Sequence, residues 1–124
     1  MKAVAALACV LVAVALVPAL SWAPDREVVL VVHGMAFFED GQPGIPNPTI
    51  EVRAGERVRV VLRNEDRGLM HDFAVPALNR GLDAIRWNET SEVTFTAPDT
   101  PGSYEYVCRP HALMMRGRLN VVAP

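Results

Sequence analysis

The sequence predicts an all-β sandwich or barrel, and three observations carry that prediction. Apolar and polar residues alternate with period 2 in several short runs, the pattern of strands with one buried face. Clusters of Gly, Pro, Asn and Asp separate those runs, and the ten prolines suit a strand-and-turn chain better than a helical one. No long segment repeats its apolar residues with the 3.6-residue period of an amphipathic helix.

The chain opens with a segment that reads as a secretory leader rather than as part of the fold. Lys2 supplies a short positive region, Ala3 to Leu16 is an unbroken apolar run, and Pro18 ends it. Ser21-Trp22-Ala23 places small residues at both cleavage-determining positions, so a signal peptide over 1–23 is expected to be cut after Ala23. A retained N-terminal membrane anchor is the competing reading, and the apolar core is shorter than the ~20 residues a spanning helix needs. Residues 24–124 then form a single domain, long enough to bury a core of its own.

Within that domain the strands follow in order. Glu27 to His33 is a β-branched run suited to a buried strand. Thr49 to Arg53 alternates, Ala54-Gly55-Glu56 turns, and Arg57 to Arg63 sets Val58, Val60 and Leu62 against Arg57, Arg59 and Arg63. A polar turn from Asn64 leads to His71, which opens a strand through Val75. Pro76 to Trp87 is the one stretch that suits a helical turn. Ser91 to Thr96 places Val93 and Phe95 together, and a Pro-rich connection runs from Ala97 to Gly102. Tyr104, Tyr106 and Cys108 share a face of the next strand, and Arg116 to Val122 closes the domain with Leu119 and Val121 inward.

Charge and cysteine usage narrow the function. The 12 basic and 14 acidic residues give a formal charge of −2. No basic run or aromatic-interleaved patch marks the chain for nucleic acid. Of the two cysteines, Cys9 lies in the leader, so the exported domain keeps Cys108 alone. An unpaired thiol in an oxidising compartment is a liability unless something occupies it, and a metal is such an occupant.

The residues around Cys108 fit that role. Cys108-Arg109-Pro110-His111-Ala112-Leu113-Met114-Met115 holds a thiol, an imidazole and two thioethers within eight residues. These are the soft and borderline donors of copper, and a His₂Cys set with a weak axial Met is the blue-copper arrangement. Taken alone, Cys108 reads as buried packing, each Met as core filling, and His71 as an ordinary strand-end residue. The combination in one loop between strands, with His71 opening a strand some forty residues earlier, points to a shared metal. His33, beside Gly34 at the end of the first strand, reads as structural.

At this point the sequence resembles the cupredoxins, the small blue copper family that includes plastocyanin, amicyanin and azurin. The likeness runs from the strand pair around Ala54-Gly55-Glu56, through Asn64 and His71-Asp72-Phe73, to Pro101-Gly102-Ser103-Tyr104 and the loop. Cys108-Arg109-Pro110-His111 is similar to the Cys-x-Pro-His of plastocyanin and amicyanin, and His111 through Gly117 to the His-x₃-Met-x-Gly of azurin. The resemblance implies a Greek-key β-sandwich or barrel of about seven to eight strands. It implies one copper ion cycling between Cu(I) and Cu(II) at His71, Cys108, His111 and Met115, in an exported, most naturally periplasmic, monomeric electron carrier that is not an enzyme.

Two details stay open in the sequence. The family's axial Met stands two residues before a glycine, which selects Met115, whereas amicyanin's shorter spacing selects Met114; consecutive residues of an extended segment cannot both face the metal. Several members carry Asn after the first histidine, where this chain has Asp72, a carboxylate able to lower the copper potential. The resemblance also implies redox protein partners meeting an apolar patch of Pro110, Ala112, Leu113 and Met114 around His111. A copper storage or delivery protein is the alternative, with Met35, Met70, Met114 and His33 as donors of a second, softer Cu(I) site. An oxidase or reductase needs more histidines than the chain has to spare.

Overall fold

Strands with one apolar face must bury it against another such face, and here two sheets lie face to face. The structure is a computed structural model that describes residues 23–124, so the expected leader lies outside the described residues except for Ala23. Nine strands are described: β1 (Arg26–His33), β2 (Ala36–Glu39), β3 (Ile50–Arg53), β4 (Arg57–Asn64), β5 (His71–Val75), β6 (Arg80–Ile85), β7 (Thr90–Thr96), β8 (Gly102–Val107) and β9 (Arg116–Val122). One sheet has the order β2-β1-β4-β7, the other β3-β9-β8-β5-β6. The pairs β1–β4 and β3–β9 are parallel, which requires the chain to cross between the sheets.

Alternation in the sequence becomes alternation in burial. Along β4, Val58, Val60 and Leu62 are buried while the intervening arginines and Val61 stay partly open. Val28, Leu30 and Val32 of β1 are buried as well, together with Val31, and Phe73, Val75, Tyr106, Leu119 and Val121 answer them from the other sheet. Phe37, Phe73 and Tyr106 join the layers: Tyr106 stacks on Phe73 at a centroid distance of 5.4 Å and meets Phe37 edge-on, also at 5.4 Å. The Tyr106 hydroxyl donates to the Pro48 carbonyl at 2.6 Å, so this buried ring carries no unsatisfied polar atom.

Seven of the nine strands lie where the sequence places them, and the other two depart for identifiable reasons. In β2, Phe37 is buried and Phe38 faces outward onto His33, with ring centroids 4.0 Å apart, so adjacent aromatics hide the alternation. The turn before it, Gly34-Met35, has positive φ at both residues but lacks a glycine at its second position. Between Pro76 and Trp87 only Pro76–Leu78 forms a 3-10 turn, closed by Asn79 in the left-handed region, and the rest is β6. A register shift opposite Asp72 pairs His71 with Ile85 but Phe73 with Leu82. The buried positions of β6 are therefore three apart, a helix-like spacing produced by a bulge.

Gly117 lies opposite Tyr106 in the β8–β9 ladder, and a Cβ built there falls inside the Tyr106 ring. The glycine is thus dictated by the ring that locks the two layers. Gly117→Ala is expected to lower the unfolding free energy by about 1–3 kcal/mol through overpacking, read as a fall in the urea midpoint.

Candidate metal centre

Asn64 ends β4 on its inward face, fully buried among apolar side chains. A buried amide must satisfy its hydrogen-bonding groups, and this one does so by holding the next loop. Its Nδ2 donates to the carbonyls of Leu69 at 2.8 Å and Ile85 at 3.0 Å, and its Oδ1 accepts the Asp66 N–H at 2.8 Å. The chain is thereby delivered to the other sheet at His71, the first residue of β5. His71 shares the inner face with Phe73 and Val75 and is fully buried.

The second segment joins β8 to β9. Pro110 sets the start of a 3-10 turn, Arg109–His111, and the loop closes on itself. Cys108 N–H donates to the Met115 carbonyl at 3.0 Å, His111 N–H to the Cys108 carbonyl at 3.0 Å, and Met115 N–H to the His111 carbonyl at 2.9 Å. Asn47 ties the loop from outside, donating from Nδ2 to the Met114 carbonyl at 3.2 Å. Cys108 and Met115 are fully buried, whereas Met114 is 61% exposed and Leu113 95%.

The two segments meet at one point. Cys108 Sγ lies 3.8 Å from His71 Nδ1 and 3.5 Å from His111 Nδ1. The three donor atoms all fall within 4.8 Å of one another. The imidazoles are tilted by 54° with centroids 4.9 Å apart. His71 Nε2 is turned away toward Asp66 Oδ2 at 3.0 Å, so N–H donation there leaves the Nδ1 lone pair facing the sulfur.

Burial dominates the electrostatics. It pushes the Cys108 thiol up, and the backbone N–H groups of Asp72 and His111 at the sulfur oppose it only in part. It pushes His71 down, favouring the neutral ring, with the Asp66 charge opposing and His111 reinforcing. Burial also pushes Asp66 up, but the amides of Met35 and Gly34 and the charge of His71 together hold its carboxyl below the usual range. A buried thiol with two imidazole nitrogens turned toward it fits a soft or borderline cation that takes thiolate and nitrogen.

Asp72 has a different environment from the one its charge suggests. Its Oδ1 accepts the Arg109 N–H at 2.7 Å, and its Oδ2 accepts Arg109 Nε at 2.6 Å. The same guanidinium donates from Nη2 to the Leu82 carbonyl at 2.8 Å. The carboxylate therefore ties the two segments together, and an arginine offsets its charge. Asp66 and Arg109 both escaped the sequence reading. The Asn64-Glu65-Asp66 turn and the variable residue after Cys108 were their only signals. The donors expected for a second Cu(I) site do not all converge. His33 stacks on Phe38, Met70 lies beside Arg86 and Trp87, and Met35 and Met114 share a hollow with His111.

Comparison with known families matches residues 6–121 to the cupredoxin-like domain. Comparison with curated proteins finds no match. Among solved structures, auracyanin B aligns with a TM-score of 0.65 at 21% identity, covering 83% of this chain and 93% of that one. Dithionite-reduced auracyanin from Roseiflexus castenholzii aligns at 0.59 and 15% identity, covering 78% and 96%. Rusticyanin from Thiobacillus ferrooxidans aligns at 0.57 and 25% identity, covering 81% and 79%.

Arg109→Ala leaves the buried Asp72 carboxylate with one backbone donor. Stability is expected to fall by about 1–3 kcal/mol in urea unfolding, toward the lower end because the Arg109 side chain is 56% exposed.

Proposed function

The chain belongs to the cupredoxin-like family, and on that footing we propose that it is a small exported blue copper protein, a one-electron carrier. His71, Cys108 and His111 form its strong ligand set and Met115 its axial contact. The observation that carries the reading is the convergence of a buried thiol with two Nδ1 atoms within 4.8 Å. Copper bound there supplies a Cu(I)/Cu(II) couple, and a His₂Cys set with a long axial thioether is acceptable to both ions. Met115 rather than Met114 suits the axial place because it is the buried one of the pair, on the inner side of the loop beside Cys108.

The protein's own contribution is to hold these donors still. The loop's internal hydrogen bonds fix Cys108, His111 and Met115 before any metal arrives, and Asp66 orients His71. Little then has to rearrange when an electron is gained or lost. Burial of Cys108 and His71 keeps water from the donors, while His111 keeps a partly open edge.

That edge opens into an apolar hollow lined by Met35, Pro110, Ala112, Leu113 and Met114. A modest apolar face with charged surroundings suits the short-lived encounters of redox proteins, and we assign partner docking to it. Export, with the periplasm as the natural compartment, accords with an unpaired thiol protected by metal. Storage or delivery of copper is the less supported alternative, because His33 and Met70 do not line the hollow that Met35 and Met114 share.

Adding Cu(II) to the purified domain is expected to produce intense visible absorption from thiolate-to-copper charge transfer, lost in Cys108→Ser. A colourless complex, or colour that survives the substitution, defeats the carrier reading. Reversible voltammetry without transfer of copper to a chelator separates carrier from delivery protein. Met115→Leu is expected to shift the reduction potential upward by removing a donor, and Met114→Leu to leave it in place; the reverse pattern moves the axial assignment to Met114.

A further inference from the structure

Asp66 is held more firmly than a loop carboxylate needs to be. Its Oδ1 accepts the Gly34 N–H at 2.6 Å and its Oδ2 the Met35 N–H at 3.1 Å. Both donors come from the turn between β1 and β2, where Gly34 and Met35 have φ of 57° and 61°. Two left-handed residues in succession aim neighbouring amides at one point, and methionine tolerates that conformation poorly unless something holds it. From the other side, Asp66 N–H is fixed by Asn64 Oδ1. What remains of the carboxylate is directed at His71 Nε2.

The contrast with Asp72 defines what Asp66 can do. Asp72 meets a guanidinium, whereas Asp66 faces two neutral amides and the imidazole. A neutral carbonyl acceptor at Nε2 would fix the same tautomer with no net charge. A carboxylate fixes it and also makes the ring a stronger donor at Nδ1, as carboxylate–histidine pairs do at metal sites.

We propose that Asp66 is the positioning residue that sets the redox poise of this site, by fixing the His71 Nδ1 lone pair toward the metal and favouring Cu(II) over Cu(I) through its charge. This rests on the blue-copper reading above. The turn of β1–β2, far from the ligands in sequence, is thereby part of the site, since it holds the carboxylate against the ring.

Asp66→Asn keeps the size and one oxygen acceptor and removes the charge. Its reduction potential is expected to rise, on the order of a tenfold loss in preference for Cu(II), or about 59 mV for one electron. Glu65→Gln removes the same charge one residue away, at an exposed pair with Arg63, and is expected to leave the potential unchanged. A role confined to holding the turn would lower stability and leave the potential where it was, and that result overturns the proposal. Should Asp66→Asn fail to fold or load, the wild-type Cu(I) protein, which is diamagnetic, carries the test. Nitrogen–proton NMR is expected to show a slowly exchanging, hydrogen-bonded His71 Nε2–H, and its absence overturns the proposal. Lack of a visible band in the wild-type protein defeats the parent reading, whereas a band with an unshifted Asp66→Asn potential defeats this inference alone.

Discussion

The site depends on how the β8–β9 hairpin ends. Its ladder runs to Val107 opposite Arg116, and the next step is the hydrogen bond from Cys108 N–H to the Met115 carbonyl. Residues opposed in an antiparallel ladder point to the same side, so Cys108 and Met115 face inward together, on the side of Tyr106 and Gly117. Met114, one residue off, must turn outward. Which of the two methionines faces inward is therefore a consequence of register, and the register is held in place by Tyr106 packed against a residue that can only be glycine.

The hairpin supplies three of the four proposed donors but not the fourth. His71 comes from the neighbouring strand, and little ladder joins the two, since β5 and β8 pair at Ala74 and Val107 alone. The work of registering one segment against the other falls to side chains. Asp72 and Arg109 bridge them, while Asn64 fixes the loop that leads into His71. Each is a polar group in a buried or half-buried place, where hydrogen bonds strengthen and an unmet one is costly. Burial then opposes charge on Cys108 and His71 alike, pushing the thiol up and the imidazole down.

How much of this was legible in the sequence follows from the range of the forces involved. Local periodicity shows in β4 and β9, where one face is buried along the whole strand, and the Cys108 to Met115 spacing displays three donor types because they sit in one loop. His71 could be matched to that loop by its place at a strand end and by family resemblance, but not by spacing, since its approach is a matter of tertiary geometry. β6 was hidden by the bulge that spaces Leu82 and Ile85 like a helix, and β2 by Phe37 and Phe38 side by side. Asp66 and Arg109 were illegible for a different reason. A charged residue in a polar turn or after a ligand looks solvated until its partner, dozens of residues away, is placed beside it. Asp72 was visible, and its charge suggested a direct effect on copper; the guanidinium of Arg109 changes that expectation.

Two carboxylates flank the proposed ligands, and the chain treats them differently. Asp72 lies next to the sulfur, where an uncompensated anion would oppose ionisation of Cys108, and it is the one given an arginine. Asp66 lies behind His71, with the ring between it and the sulfur, and it is given amides that stabilise its charge without cancelling it. Hydrogen bonds from neutral donors preserve a negative charge, whereas a guanidinium offsets it, so the choice of partner decides which anion the ligands feel. That the amides come from a turn with Met35 in the left-handed region shows that local backbone preference yields to this carboxylate. The charge near the site is thus distributed by backbone and arginine rather than by the acidic residues themselves, and the strand that reads as mere scaffold, β1 with its turn into β2, sets part of the chemistry at the opposite sheet.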